Sequence, residues 1–398
     1  MGCHVVLAVF LISLSCKYTD AQQGFLSIDC GGDKNFTDAN VIFWISDNSL
    51  SGIAGNASEV TPPTYVGNSP SPLSSIRFFP GGQSKYCYRF DLNHFGLIQD
   101  QAFLIRASFW AGSHLPYTTR FKNSVSFKLV INADEWEEVS IEFPQTGKEV
   151  NKEMYLITSR NNIEVCLSGS SNDSDIPFIS SLVLRELPAD LDPIKQTISQ
   201  TGGRPLTTVK RTNFGVYPEA FVGSGDIRYS AASTTLLAHS DPYDRIWEAD
   251  TNGSILATDQ EINSNGYSNN VPLLVMQTAR EGNSFILEYQ LPADLSCYYF
   301  LYFSEISSAV NASGQRAFSY TRSTSLGTYI REVDLYRDTS KYTTTLYYSG
   351  EPIHVGNLGY LRFLFQRNAS SMYGPIINAI EVFKIFERNL SSGTLDDE

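Results

Sequence analysis

Charged residues and histidines are scarce in this sequence. Asp, Glu, Lys and Arg make up 18% of 398 residues, and only five residues are His. A disordered chain is excluded, because 42% of the residues are apolar and 13% are aromatic. The net charge of −13 argues against nucleic-acid binding, which needs basic residues that displace phosphate counterions. This acidity favours neutral glycans or cationic partners such as basic peptides.

Motifs for catalysis, metal binding or nucleotide binding are missing as well. The sequence has no HExxH helix, P-loop, EF-hand loop or GxSxG elbow, and its histidines are widely spaced. A glycosidase needs only two carboxylates about 5 to 10 Å apart in space. Asp244, Glu248 and Glu305 could supply them, but nothing distinguishes these residues from salt-bridged or solvated ones. We therefore predict a protein without catalysis, cofactor or metal, and glycoside hydrolysis stays as an alternative.

The N-terminus has the features of a secretory signal. Residues 5–16 form an apolar run that is short for a membrane span, and Thr19 and Ala21 suit a cleavage site before Gln22. We predict a signal peptide over residues 1–21. No later window approaches 18 uncharged apolar residues, so no membrane insertion by this chain is expected. The predicted location is secreted, or the cell surface if the chain is part of a longer membrane receptor.

Four cysteines follow the signal: Cys30, Cys87, Cys166 and Cys297. In an oxidising compartment they allow three complete pairings, and we favour a bond between Cys87 and Cys166. Their spacing fits no zinc motif. Seven Asn-x-Ser/Thr sequons also suit secretion, and we expect most to carry glycan. They begin at Asn35, Asn56, Asn172, Asn252, Asn311, Asn368 and Asn389.

Apolar residues alternate with polar ones along most of the chain, a period that predicts β-strands. One of the predicted strands covers residues 273–277. Turn residues such as Pro80, Gly81 and Gly82 separate the strands, and long amphipathic helices are missing. The sequence therefore predicts an all-β protein made of sandwiches or jelly rolls.

Two strand motifs recur, which indicates a duplicated β-domain. Residues 104–109 resemble 298–303, an offset of 194 positions, and residues 178–184 resemble 376–382, an offset of 198. A segment with Gly, Pro and Thr lies between the halves. The predicted divisions are a first β-domain at 22–187, a linker at 188–212, a second β-domain at 213–387 and a C-terminal tail at 388–398.

Aromatic residues are plentiful, with 22 Tyr, 24 Phe and 4 Trp. Rings in loops can stack on the apolar faces of sugars. Tyr65 and Tyr117 lie in turn-rich segments and are the candidate ligand contacts. Trp136 and Trp247 alternate with polar residues and are expected in the core.

Six segments in order along the chain carry a more specific signal. They are LSIDCGG at 26–32, RFFPGG at 77–82 leading to YCY at 86–88, PFISSL at 177–182, DPYDRIW at 241–247, YFSEI at 302–306 and GPIINAIEVF at 374–383. Together they resemble the malectin-like extracellular domain of plant receptor-like kinases. The resemblance implies two tandem malectin-type β-sandwiches joined by a short linker. It transfers no sugar-contacting residue to this chain.

The resemblance also implies a role in recognition. In relatives, such domains belong to receptors for which secreted peptides and cell-wall glycans are the ligands discussed, and repeats, a membrane span and a kinase follow. These residues include none of those parts, so we expect either a secreted receptor-like protein or a portion of a receptor. Our leading hypothesis is a non-enzymatic module that binds a secreted peptide, with a cationic one favoured, or a wall glycan. It would bind at loops and at the cleft between the domains, together with a co-receptor. The alternatives are a lectin for neutral glucans and a glycosidase.

Overall fold

The computed structural model describes residues 24–66, 69–80, 85–113, 123–147, 149–169, 176–187, 192–215, 226–228, 241, 243–264 and 269–387. Strands dominate these residues, which confirms the all-β prediction. The strands of the first half are β1 Phe25–Asp29, β2 Phe36–Thr37, β3 Phe43–Ser46, β4 Asn56–Glu59, β5 Ser75–Phe78, β6 Tyr86–Asp91, β7 Ala102–Phe109, β8 Ser124–Ile131, β9 Asp134–Glu142, β10 Val150–Ile157, β11 Asn162–Gly169, β12 Phe178–Ile179 and β13 Ser181–Leu187.

The second half continues the series. Its strands are β14 Leu206–Phe214, β15 Asp226–Arg228, β16 Ile246–Asp250, β17 Ser254–Ala257, β18 Thr278–Glu281, β19 Ser284–Gln290, β20 Ser296–Phe303, β21 Ala317–Thr324, β22 Gly327–Asp334, β23 Thr345–Tyr348, β24 Ile353–His354, β25 Tyr360–Arg367, β26 Ile376–Ile377 and β27 Ala379–Ile385. The α-helices described are α1 Asp192–Gln200, α2 Leu273–Met276 and α3 Leu335–Asp338, all of them too short to cross a bilayer.

The two halves repeat one topology. A four-stranded sheet has the order β6-β11-β8-β9 in the first half and β19-β25-β21-β22 in the second, and three-stranded sheets join β4, β5 and β12 or β17, β18 and β26. Leu182 on β13 pairs with Ala107 on β7, and Ile380 on β27 pairs with Leu301 on β20. These positions are equivalent under the two sequence offsets. The internal repeat inferred from the sequence is therefore present in the strand pairing.

One large sheet joins the halves in the order β2-β3-β1-β13-β7-β10-β14-β27-β20-β23. Strand β14 pairs with β10 through Leu206 and Thr207, and with β27 along most of its length. Residues 188–212, predicted as a linker, thus contain α1 and most of β14. Strand β14 was not predicted from the sequence, because it consists mainly of Thr, Lys and Arg and follows the turn residues Gly-Gly-Arg-Pro.

Two further expectations need correction. Most of the strand predicted at 273–277 is the short helix α2, Leu273–Met276. Pro272 precedes this helix, and an unbroken apolar run has no period that separates helix from strand. Cys87 and Cys166 form the favoured disulfide, between paired residues of β6 and β11. Cys30 and Cys297, the other disulfide candidates, are buried free thiols, since one follows β1 and the other lies in β20. Burial raises the pKa of Cys297 to about 12.

The LSIDCGG segment includes the end of β1 and the turn that follows it, and this turn packs closely against β5. Gly31 has a φ of +87°, and a Cβ there would lie 2.1 Å from the Ile76 carbonyl oxygen, so only glycine fits. Asp29 is buried beside it and accepts a hydrogen bond of 2.9 Å from the Ser75 hydroxyl. Burial, together with the charge of Asp47, raises the pKa of Asp29 to about 7, despite the opposing Ser75 hydrogen bond.

Asp29 should make stability fall as the pH rises from about 4 to 7. The folded state keeps a proton there that the unfolded chain releases near pH 3.8, so stability from this group is present below that pH and lost through pH 7. The slope is at most about 1.4 kcal/mol per pH unit. Denaturant unfolding at several pH values checks this. Asp29→Asn should gain stability over the wild type between pH 4 and 7, and a constant difference would refute the assignment.

Candidate functional site

The same Asp–Trp turn occurs once in each half of the chain, and we call it the corner. The second copy lies at the junction of the two sandwiches. The Trp44 indole N–H donates to Asp38 Oδ2 at 2.9 Å, and the Trp247 indole N–H donates to Asp241 Oδ2 at 3.0 Å. In each corner the third residue after the aspartate has a positive φ, 61° at Val41 and 55° at Asp244. Val41 is 51% exposed, whereas Asp244 is buried. In the corner of the second half, the residue of positive φ is thus an aspartate whose carboxylate is buried in the protein.

Asp244 holds two arginines of the first half. Its Oδ2 accepts hydrogen bonds from Arg106 Nη2 at 2.8 Å and from Arg185 Nη2 at 3.0 Å. Its main-chain oxygen accepts a further bond from Arg106 Nη1 at 2.7 Å. Arg106 lies on β7 and Arg185 on β13, so these bonds cross from one half to the other.

Arg211 on β14 makes the reciprocal connection. Its Nε donates to Glu381 Oε1 at 2.6 Å, and its Nη1 donates to Glu153 on β10, which also accepts from Arg106 at 3.2 Å. Its Nη2 donates to the Tyr155 hydroxyl at 2.8 Å. The six charged residues linked in this way are the junction network: Arg106, Glu153, Arg185, Arg211, Asp244 and Glu381.

The junction network is buried and its charges balance. Burial alone would raise the pKa of Glu381, but the Arg211 and Arg245 guanidiniums and a Tyr302 hydrogen bond hold this pKa below its usual range. A buried ion set of this kind fixes geometry, because each charge needs its partners in place. The network links the two halves through three buried ion pairs, and we expect it to restrict their relative orientation.

All three carboxylates considered for glycoside hydrolysis have cationic partners. Asp244 belongs to the junction network, Glu248 pairs with Lys210, and Glu305 accepts from Arg316 Nε at 2.7 Å. Asp244 and Glu305 are also buried. The salt-bridged interpretation of these residues is confirmed.

Two concave regions lie between the halves. The smaller, about 270 Å³, has Glu153 and Arg211 of the junction network in its wall, together with Lys210 and Glu248, which pair with each other. The larger, about 520 Å³, is the seam cavity. Its walls are residues 133–136 of the first half and Leu295 with residues 384–387 of the second. A cavity of this size can hold part of a peptide or a small ligand.

Strand β9 runs from the seam cavity along the outside of its four-stranded sheet. Five of its nine residues are acidic and none is basic. It pairs with β8 alone among the described residues, so its other edge is open there. Two of its carboxylates form salt bridges. Glu135 pairs with Lys128 at 2.6 Å, and Glu137 pairs with Lys152 at 3.1 Å and with Lys384 at 3.4 Å. We call β9 the acidic strand.

A β-bulge in the acidic strand puts Trp136 where the core of the first sandwich forms the wall of the seam cavity. Leu129 of β8 pairs with Glu137 and the next residue, Val130, pairs with Glu135, so Trp136 is the extra residue. Bulges redirect side chains in this way. Trp136 is 3% exposed, and its indole N–H has no hydrogen-bond partner in the described structure. A buried donor without a partner is rare in folded proteins.

The candidate residues read from the sequence fall elsewhere. Tyr117 lies outside the described residues, as do Asn172, Asn389, the signal peptide and the C-terminal tail; for Tyr65 only the backbone is described. The asparagines of the other sequons are exposed, apart from the half-buried Asn368. Trp136 and Trp247 are in the core as predicted. A cleft between the domains was expected from the sequence, but the residues that line the seam cavity were not predicted, although the run DEWEEVSIE is rich in acidic residues.

Two repeated β-sandwiches, joined by one large sheet and by a buried ion network, define a tandem β-sandwich protein. A family model of the malectin-like domain matches residues 28–385. The chain therefore belongs to the malectin-like family.

Relatives and solved structures agree with this family. A probable leucine-rich-repeat receptor-like serine/threonine-protein kinase of Arabidopsis thaliana is 28% identical over 96% of this chain and 39% of its own length. A probable leucine-rich-repeat receptor-like protein kinase of the same plant is 26% identical over 92% of the chain and 38% of its own length. The chain thus spans about two-fifths of the curated relatives that it matches.

Among solved structures, the ANXUR2 extracellular domain from Arabidopsis thaliana has a TM-score of 0.67 at 17% identity, covering 92% of this chain and 97% of that one. A crystal structure of the plant peptide RALF23 in complex with FER and LLG2 gives 0.66 at 16% identity, covering 92% and 96%. These likenesses establish the fold of tandem malectin-type sandwiches.

Proposed function

We propose that this chain is the extracellular ligand-recognition module of a receptor-like protein and that its ligand is a secreted basic peptide. The acidic strand beside the seam cavity is the observation that carries the proposal. The strand carries five carboxylates and only three lysines pair with it, so the excess negative charge attracts cationic groups and raises the rate of encounter with them. The net charge of −13 acts in the same direction.

The junction network supports the proposal, because a binding surface built from two sandwiches needs them in a fixed arrangement. The relatives supply the context: they are receptor-like kinases, and one structural neighbour was solved with a peptide and a further protein, LLG2. We extend this to a co-receptor for the present chain. A signal peptide at 1–21 and glycans on the exposed sequons belong to the same proposal.

Binding of basic and acidic peptides of equal length tests the function. By calorimetry on the full chain at low salt, basic peptides should bind and acidic ones should not. The affinity should fall as salt is added, because exposed charge pairs are screened. Equal binding of both sets, or no binding of basic peptides, would contradict the proposal. A glycan array on the same protein covers the neutral-glucan alternative, and reproducible glycan binding with silent peptides would favour a lectin.

A further inference from the structure

We infer that the acidic strand is the docking edge for the peptide, which adds to the sheet as a fifth strand and places a carbonyl oxygen on the Trp136 indole N–H in the seam cavity. This inference rests on the proposed function and specifies its site. An extended peptide can make three kinds of contact with this surface. Its main chain can hydrogen-bond to the open edge, its cationic side chains can pair with the carboxylates, and one of its carbonyl oxygens can accept from the buried indole N–H.

The open edge of β9 is the first observation that supports peptide docking. Alternate residues of an outer strand direct N–H and C=O groups away from their single partner strand, which leaves a template for another chain. Strand β9 has nine residues and pairs with β8 alone in the described structure. Its inward side chains Val139 and Ile141 are buried in the sandwich, so the strand is firmly held and its edge is a preformed surface.

The charge of this strand favours a basic peptide over a second copy of the chain. Glu135, Glu138 and Glu142 are exposed along this strand. A second copy of the chain would bring five more carboxylates against them, and like charges oppose such pairing. A peptide with Lys or Arg at alternate positions presents all its cations on one face of the strand, where they lie beside these glutamates.

The seam cavity provides the anchor. Trp136 stands at the bulge where the acidic strand begins, and the opposite wall contributes Lys384, Phe386 and Glu387 of the second half. Because the indole N–H is buried without a partner in the described structure, a ligand carbonyl that reaches it forms a hydrogen bond with no competing protein acceptor. Both sandwiches thus contact one ligand, which accounts for their fixed arrangement.

The test uses blocked peptides about as long as β9, binding to the full chain at low salt. A peptide of alternating Lys and Thr should bind, and one of alternating Lys and Pro should not, because proline fixes φ near about −65° and favours the polyproline II conformation over a strand. Two N-methylated forms of the Lys–Thr peptide sharpen the test, one methylated on every Lys and the other on every Thr. Only one set of alternate N–H groups faces the protein in a strand, so only one form should lose binding.

Protein variants locate the edge. The triple variant Glu135→Gln, Glu138→Gln, Glu142→Gln should weaken binding of the Lys–Thr peptide about tenfold. The control variant Glu288→Gln, Glu332→Gln, Glu351→Gln changes the net charge equally on the second sandwich and should leave binding nearly unchanged. Trp136→Phe keeps a ring and removes the N–H, and should weaken binding about fivefold.

The outcomes separate this inference from the proposed function. If the Lys–Thr peptide binds but both N-methylated forms bind equally, or both triple variants behave alike, the acidic strand is not the docking edge while peptide recognition stands. If none of the basic peptides binds, both fail. Should Trp136→Phe not fold, the N-methylated peptides still decide the strand geometry on the wild-type protein.

Discussion

Replacing Asp244 with alanine should lower the free energy of unfolding by about 3–5 kcal/mol. The substitution removes the carboxylate that accepts from Arg106 and Arg185, and it leaves two buried guanidiniums close together without a counter-charge. The protein interior cannot solvate such charges as water does. Urea unfolding at neutral pH, followed by tryptophan fluorescence, measures the loss.

Two further variants show whether the buried charge is responsible. Asp244→Asn keeps a side chain that tolerates the positive φ of 55° and should still lose most of the stability, because the charge is gone. Glu288→Gln breaks an exposed pair with Arg362 and should change stability by about 1 kcal/mol or less. Equal and small losses for Asp244→Ala and Glu288→Gln would show that the junction network does not hold the halves together.

Removing the disulfide should cost about 4 kcal/mol, because the bond restricts the unfolded chain between residues that are 79 positions apart. The variant is Cys87→Ala with Cys166→Ala, and the measurement is denaturant unfolding with and without a reducing agent. Wild-type stability should fall when the bond is reduced, whereas the variant should not respond to the reductant.

The matched control replaces the two free thiols. Cys30→Ala with Cys297→Ala removes the same number of sulfur atoms and should lose about 2 kcal/mol, a packing effect. It should keep the full response to reductant. A control variant that lost this response would mean that the bond involves Cys30 or Cys297.

Local patterns were sufficient to predict much of the fold. Period-two alternation predicts strands because the outer sheets, such as β6-β11-β8-β9, bury one face only. The repeated motifs identify β7 with β20 and β13 with β27, since these central strands are buried alike in both sandwiches. Strand β14 escaped prediction because its partners β10 and β27 are remote in sequence, and such pairing overrides a polar composition.

The site was less predictable, for physical reasons. Asp244 appears in the sequence as one carboxylate among many, and only the fold brings Arg106 and Arg185 to it. The unpartnered N–H of Trp136 depends on a bulge that exists only in the pairing of β8 with β9. The acidity of β9 itself was readable, but its position at an open edge was not, because an edge is a property of sheet order.

Hydrogen–deuterium exchange with the Lys–Thr peptide bound tests the central claim most directly. If recognition occurs at the acidic strand, amides of β9 should gain protection, with a smaller gain around residues 384–387, while β22, the equivalent edge strand of the second sandwich, stays unchanged. Protection that appears on β22 or in other loops, with β9 exchanging as in the free protein, would contradict the account.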